Sequence, residues 1–257
     1  MALRHLELNG GQVVAGEATR LILPPVRTGY ADAQIDDYGP AGGRGQYPWH
    51  PGTRLSLRAR FSHGRDQLRG TAGFGFWNAP FGDPTIRRPA LPQAVWFFYA
   101  SAPSDLPFPI NGPGRGWFAA TIDAATPAVL LTAPLAPAVL LLNQSKKLKN
   151  RLWPWVRRRL QISFAPLEAP MTRWTEYKLH WGLSGCTFII DDEPILQAPY
   201  TPRGPLGFVC WIDNQYLVAT PNGRFRWGTL PTEETQMLEI ADLKLVRESG
   251  GQVVRSP

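Results

Sequence analysis

Three groups of residues in this 257-residue chain could do chemistry. The first is a thin set of carboxylates at the ends of extended segments. Asp37 closes, with Asp36 and Tyr38, a stretch that starts near Tyr30, and Asp213, followed by Asn214, closes another. A carboxyl at the lip of an apolar pocket has a raised pKa and can serve as acid or base, so Asp37, Asp213 and Asn214 are the catalytic candidates. Asp and Asn at strand ends also hydrogen-bond their own turns, which is the competing use. The second group is aromatic: Trp77 with its neighbour Asn78, Trp96, Phe98, Tyr99, Trp117, Trp211 and Tyr216 are candidates to line one cleft. Ring faces stack on sugars, and a weakly charged aromatic pocket also suits a terpenoid, a polyene or another lipid. The third group is basic. Lys146, Lys147, Lys149, Arg151, Arg157, Arg158 and Arg159 carry the whole net charge of +7, with no acid among them.

Other chemistries are excluded by what is missing. His5, His50 and His63 show no ligand spacing with one another and His180 reads as a solvated or core-capping residue, so neither a metal nor a cofactor is expected. Gly112–Gly116 reads GPGRG but lacks the strand, lysine and helix of a phosphate loop. The charge is one patch without a recognisable nucleic-acid module, so no nucleic-acid partner is expected. Cys186 and Cys210 read as two buried thiols, and the N-terminus MALRHLELNGG has no apolar core for secretion. The expected location is the cytoplasm, with peripheral attachment at the inner face of the membrane through the basic segment.

The elements that must position these groups are mostly strands. Pro and Gly number 26 and 25, too many for a helix bundle and suited to short strands joined by turns. From Thr53 to Phe61, Leu55, Leu57, Ala59 and Phe61 alternate with Arg54, Ser56, Arg58 and Arg60, one face on a core and one in water. Gln93–Ser101 is apolar on both faces, so both must be covered. Cys186–Ile190 and Ile195–Ala198 flank an acidic turn and read as a hairpin. Leu238 and Ile240 are out of phase with Leu243 and Leu245, which predicts a β-bulge near Ala241 and Asp242. Residues 1–257 are therefore expected to form a single all-β sandwich domain with an insertion over 125–165. Its segment 138–160 reads as a basic amphipathic helix, with a kink or second start near Trp153 imposed by Pro154. Leu148, Leu152 and Trp155, with Arg151, Arg157 and Arg158, are the expected contacts to an anionic membrane surface.

Tyr177 and Trp181, then Phe188, Ile190 and Asp191, followed by a proline- and glycine-containing connection, resemble the concanavalin A-like sandwiches, family-16 glycoside hydrolases in particular. GFGFW at Gly73–Trp77 loosely fits the strand before that family's active strand. The resemblance runs from Arg54 to Val246 without the insertion and implies a jelly-roll sandwich. It would also imply an E-x-D-x-x-E strand, but none occurs, and Gln93–Ser101, the strand expected to hold it, contains no acid. Retaining glycoside hydrolysis needs two carboxyl groups about 5 Å apart. The first functional reading is therefore an enzyme acting on a hydrophobic small molecule or lipid by cyclisation, isomerisation or hydration in the aromatic cleft. The alternatives are a non-catalytic carbohydrate-binding module and a glycoside hydrolase with relocated carboxylates. The expected partner is thus an apolar small molecule or a saccharide.

Overall fold

A computed structural model describes residues 3–39, 46–80, 90–248 and the backbone of 253–255. One sheet has seven strands in the order β1 (Arg4–Leu8), β4 (Asp32–Asp36), β13 (Gly207–Asp213), β6 (Thr71–Trp77), β7 (Gln93–Ala100), β8 (Gly116–Asp123) and β9 (Ser163–Pro166). The second runs β12 (Glu193–Ala198), β11 (Cys186–Ile190), β10 (Thr175–Trp181), β5 (Thr53–Phe61), β16 (Gln236–Arg247), β3 (Thr19–Leu23) and β2 (Gln12–Val14). β17 (Val253–Arg255) also pairs with β16, and β14 (Gln215–Ala219) with β15 (Phe225–Thr229) forms a separate hairpin. Both large sheets are antiparallel, and their inner faces share one apolar core. The architecture is an antiparallel β-sandwich of the jelly-roll type.

Alternation explains the layers. Leu55, Leu57, Ala59 and Phe61 of β5 are almost fully buried, while Arg54, Arg58 and Arg60 point out and pair with Glu248, Asp242 and Glu239. Exposed ion pairs contribute at most about 1 kcal/mol each, so the inward residues dominate stability. The expected bulge is present: register shifts between Ala241 and Lys244, and Asp242 has φ 55°. Leu238 and Ile240 before it and Leu243 and Leu245 after it all reach the core. The β11–β12 turn is made by Asp191 and Asp192 at φ 47° and 65°, the pair of left-handed residues a two-residue hairpin with right-handed twist needs.

The helical part of the insertion is longer than the sequence pattern implied. It comprises α1 (Pro127–Thr132), a 3-10 turn over 133–135, α2 (Ala136–Leu142) and α3 (Lys146–Arg159). Pro127, Pro134 and Pro137 start helical turns rather than forbidding them, since the first turn has no use for the missing N–H. Of the kink or second start expected near Trp153, the second start does not occur. Pro154 lies inside a continuous α3, whose other turns bridge the one hydrogen bond proline removes.

Candidate functional site

The seven-stranded sheet carries two aromatic layers, one on each side. Phe74, Phe97, Tyr99 and Trp117 face the inter-sheet core, where Phe97 lies 5.1 Å from Tyr177 and 5.2 Å from Phe188. Tyr99 and Trp117 were expected in the cleft and are not there. Strand alternation places them on the core side of Phe98 and Phe118, each 1% exposed. The Tyr99 hydroxyl lies against the carbonyls of Leu68 and Arg65, and burial pushes its pKa up to about 12.

The outer face holds the other set. Trp77 and Trp211 are parallel within 2° at 6.0 Å, Trp96 lies 4.9 Å from Phe98, and Phe98 lies 5.2 Å from Trp211. Two glycines of β6 let these rings lie across the sheet. A Cβ at Gly73 would stand 2.3 Å from the Phe97 carbonyl oxygen and 3.0 Å from Trp211 Cη2, and one at Gly75 would stand 2.7 Å from Trp96 Cβ. The GFGFW pattern thus alternates core phenylalanines with the gaps that this ring layer fills. Trp96 and Trp211 are buried, whereas Trp77 and Phe98 are half-buried and present ring surface outward. The Trp96 indole N–H is buried and has no acceptor among the described residues.

Beside the rings the same face turns polar. β4 sends Ala33 and Ile35 to the core and Asp32, Gln34 and Asp36 outward. Arg4 Nη2 lies 2.6 Å from Asp36 Oδ2. The Gln34 amide donates to Asp36 Oδ2 at 2.9 Å and to the Tyr38 hydroxyl at 3.2 Å. That hydroxyl also accepts the Trp77 indole N–H at 2.7 Å. Tyr47 packs on Tyr38 with ring centres 5.6 Å apart. Arg4, Gln34 and Tyr47 were not singled out from sequence. The alternation in DAQID was readable, but nothing local says that its polar side is buried.

The catalytic candidates separate. Asp213 is 6% exposed on the outer face, where Oδ1 accepts from Thr71 N, Thr71 Oγ1 and Gln215 N at 3.2, 2.8 and 2.9 Å. Burial raises its pKa to about 6 against those donors. Trp211 Nε1 donates to the same Thr71 hydroxyl at 2.9 Å, which ties the carboxyl to the ring layer. Asp37 instead accepts from Phe208 N and Trp49 Nε1 at the margin of the core, and burial pushes it up to about 7. Asp37 and Asp213 lie in separate places. Asp37 lies past Asp36, which is opposite Val209, four residues along β13 from Asp213. Asn214 is structural: its side chain accepts from Ala31 N and donates to the carbonyls of Gly29 and Leu230.

Asn78 and Tyr216 also fall away from the expected site. Asn78 donates to Leu91 O and accepts from Gln93 N, which closes the β6–β7 connection. Tyr216 packs toward Gly228 on β15, while the next residue, Leu217, reaches the outer ring layer. His180 points outward from β10, and burial, then the Arg54 charge, lower its pKa. Cys186 and Cys210 are both buried free thiols. Among the described residues no cluster of His, Cys, Asp and Glu could hold a metal ion.

In α3, Leu148, Arg151 and Arg158 are exposed, but Leu152, Trp155 and Arg157 are half-buried. The helix docks through Trp153, the residue near which a second start was expected, and Trp155 is covered by the Arg159 guanidinium at 5.0 Å. Burial lowers the pKa of Arg157. Leu152, Trp155 and Arg157 therefore give much of their surface to the protein itself, because the helix is rotated to seat Trp153. Among the described residues no helix is long and apolar enough to cross a membrane.

No protein-family model matches the chain, and no curated protein is similar to it in sequence. Similar solved structures include an endo-β-1,4-glucuronan lyase from the fungus Trichoderma reesei, with 8% identity, 94% of this chain and 89% of that one covered, and a TM-score of 0.49. An immunostimulatory antigen and pseudo β-1,3-glucanase of Mycobacterium tuberculosis is 13% identical over 89% of this chain and 75% of its own, with a TM-score of 0.45. An alginate lyase solved with dimannuronate is 8% identical over 93% of this chain and 76% of its own, at 0.42. The likeness is one of fold.

Proposed function

We propose that the outer face of the seven-stranded sheet binds a saccharide. The observation that carries this reading is the buried Trp96 indole N–H, without an acceptor among the described residues, set beside the half-exposed rings of Trp77 and Phe98. A sugar offers both surfaces such a place needs: C–H faces for the rings and a hydroxyl for the Trp96 donor. A wholly apolar ligand would leave the buried Trp96 donor unpaired, at about 1–3 kcal/mol. It would also need an enclosed chamber. Among the described residues the outer rings meet one another at 4.9–6.0 Å instead. Binding without hydrolysis is the reading favoured here. The outward positions of β7 are Ala94, Trp96, Phe98 and Ala100, and the Asp213 oxygen is committed to three protein donors.

Tryptophan fluorescence titrated with β-glucan and uronan oligosaccharides tests this, alongside a reducing-end assay. A saturable change lost in Trp77→Ala, without cleavage, is expected. No response from any oligosaccharide, together with an apolar molecule co-purifying with the protein, would restore the hydrophobic-substrate reading.

A further inference from the structure

Two segments far apart in sequence form one surface of unusual composition. Residues 124–167 and 214–232 contain nine basic residues and no acidic one. They meet where the Asn143 amide donates to Pro221 O at 2.8 Å and the Gln144 amide to Asn222 O at 2.7 Å. Leu140 lies against Gly223 at the hairpin tip. α1, the following 3-10 turn and α2 bury no residue at all. Leu131 and Leu141 are 82% and 73% exposed, and on the adjoining hairpin Phe225 and Trp227 are 63% and 71% exposed. Arg224 and Arg226 alternate with those two rings.

We infer that this surface docks on an anionic lipid bilayer, with α1, α2 and the β14–β15 hairpin at the acyl boundary and the basic residues among the headgroups. Leucine, phenylalanine and tryptophan interleaved with Lys and Arg suit the membrane interface, where one layer is apolar and the next is anionic and wet. The prolines divide the apolar run into short helices that can lie flat but not span. A second copy of the chain is a poor occupant, since a two-fold contact would set the cations against themselves. Between the two segments a cavity of about 200 Å³ is lined by Lys146, Lys149 and Arg224. Asp105, its carboxylate, accepts from Gly114 N at 3.0 Å. Asn143 Oδ1, also in the lining, is buried and has no donor among the described residues. A lipid phosphate fits the three cations, and a headgroup hydroxyl fits the amide oxygen. Leu106 of the cavity wall and Leu217 of the hairpin also touch the outer ring layer, but none of the side chains changed below belongs to it, so saccharide binding and membrane docking can fail independently.

Flotation of the full chain with phosphatidylcholine vesicles, with and without phosphatidylglycerol, tests the assignment. Binding is expected only with phosphatidylglycerol and should weaken steeply with salt. The paired change Leu131→Glu and Leu141→Glu should lower the partition coefficient roughly tenfold or more with the melting temperature unchanged, because both side chains lie in solvent. Lys149→Glu with Arg224→Glu should lower it comparably and flatten the salt dependence. Absence of flotation at low salt overturns the proposal. So does binding that neither pair reduces, or a dimer in solution that Leu131→Glu and Leu141→Glu disperse.

Discussion

The two sides of the seven-stranded sheet use the same residue types to opposite ends. On the inner side Phe74, Phe97 and Trp117 meet Tyr177 and Phe188 of the facing layers, and none is more than 1% exposed. On the outer side Trp77, Trp96, Phe98 and Trp211 form an equally dense group, yet two rings remain half-exposed and one indole N–H has no acceptor among the described residues. A sandwich needs only its inner face to fold. An outer face with four large rings and a hydrogen-bonded chain of polar side chains goes beyond what closing the core requires, and the proposed saccharide site rests on that surplus.

The sharpest way to break this comparison is to truncate one ring on each side. Phe97→Ala should cost about 3–5 kcal/mol in urea denaturation, because the ring is enclosed by both sheets and the cavity cannot collapse. A cost below about 1 kcal/mol would show that the inner layer is not the structural one. Asp213 tests the polar part of the outer side. Its folded-state pKa is raised to about 6, so the folded form binds the proton more tightly than the unfolded chain does. The associated stability is complete below pH ~4 and is lost as pH rises through about 6, by up to about 3 kcal/mol. Asp213→Asn keeps the Oδ1 acceptor and should flatten that decline between pH ~4 and ~7. Identical pH profiles for the two proteins would show that Asp213 does not titrate there.

Smaller effects sharpen the distinction. Phe98→Ala should reduce stability by only about 1–2 kcal/mol, since the ring is half-exposed, yet should remove saccharide binding. Equal losses in Phe98→Ala and Phe97→Ala would make both layers core. Arg58→Ala breaks an ion pair with Asp242 between two half-exposed side chains and should change stability by less than about 1 kcal/mol. A larger change there would mean that the outward face of the second sheet is more than a solvated surface.

Local physics made much of this molecule legible in its sequence. Alternation in β5, the phase slip in β16 and the acidic β11–β12 turn follow from period-two geometry and from the left-handed backbone of Asp191 and Asp192. That Gln93–Ala100 is covered on both faces follows from its unbroken apolarity. Which face each aromatic residue occupies did not follow. Tyr99 and Phe98 are adjacent and chemically alike, and only the pairing of β7 with β6 and β8 against the second sheet sends Tyr99 inward and Phe98 outward. The fates of Asp37 and Asp213 were likewise set by strand register, which places them at different points along β13. The rotation of α3 depended on a single buried ring, Trp153. Sequence determines periodicity and turn chemistry because these involve neighbours along the chain. Burial, facing and the meeting of residues 143 and 221 involve groups brought together from far along it, and only the tertiary structure decides them.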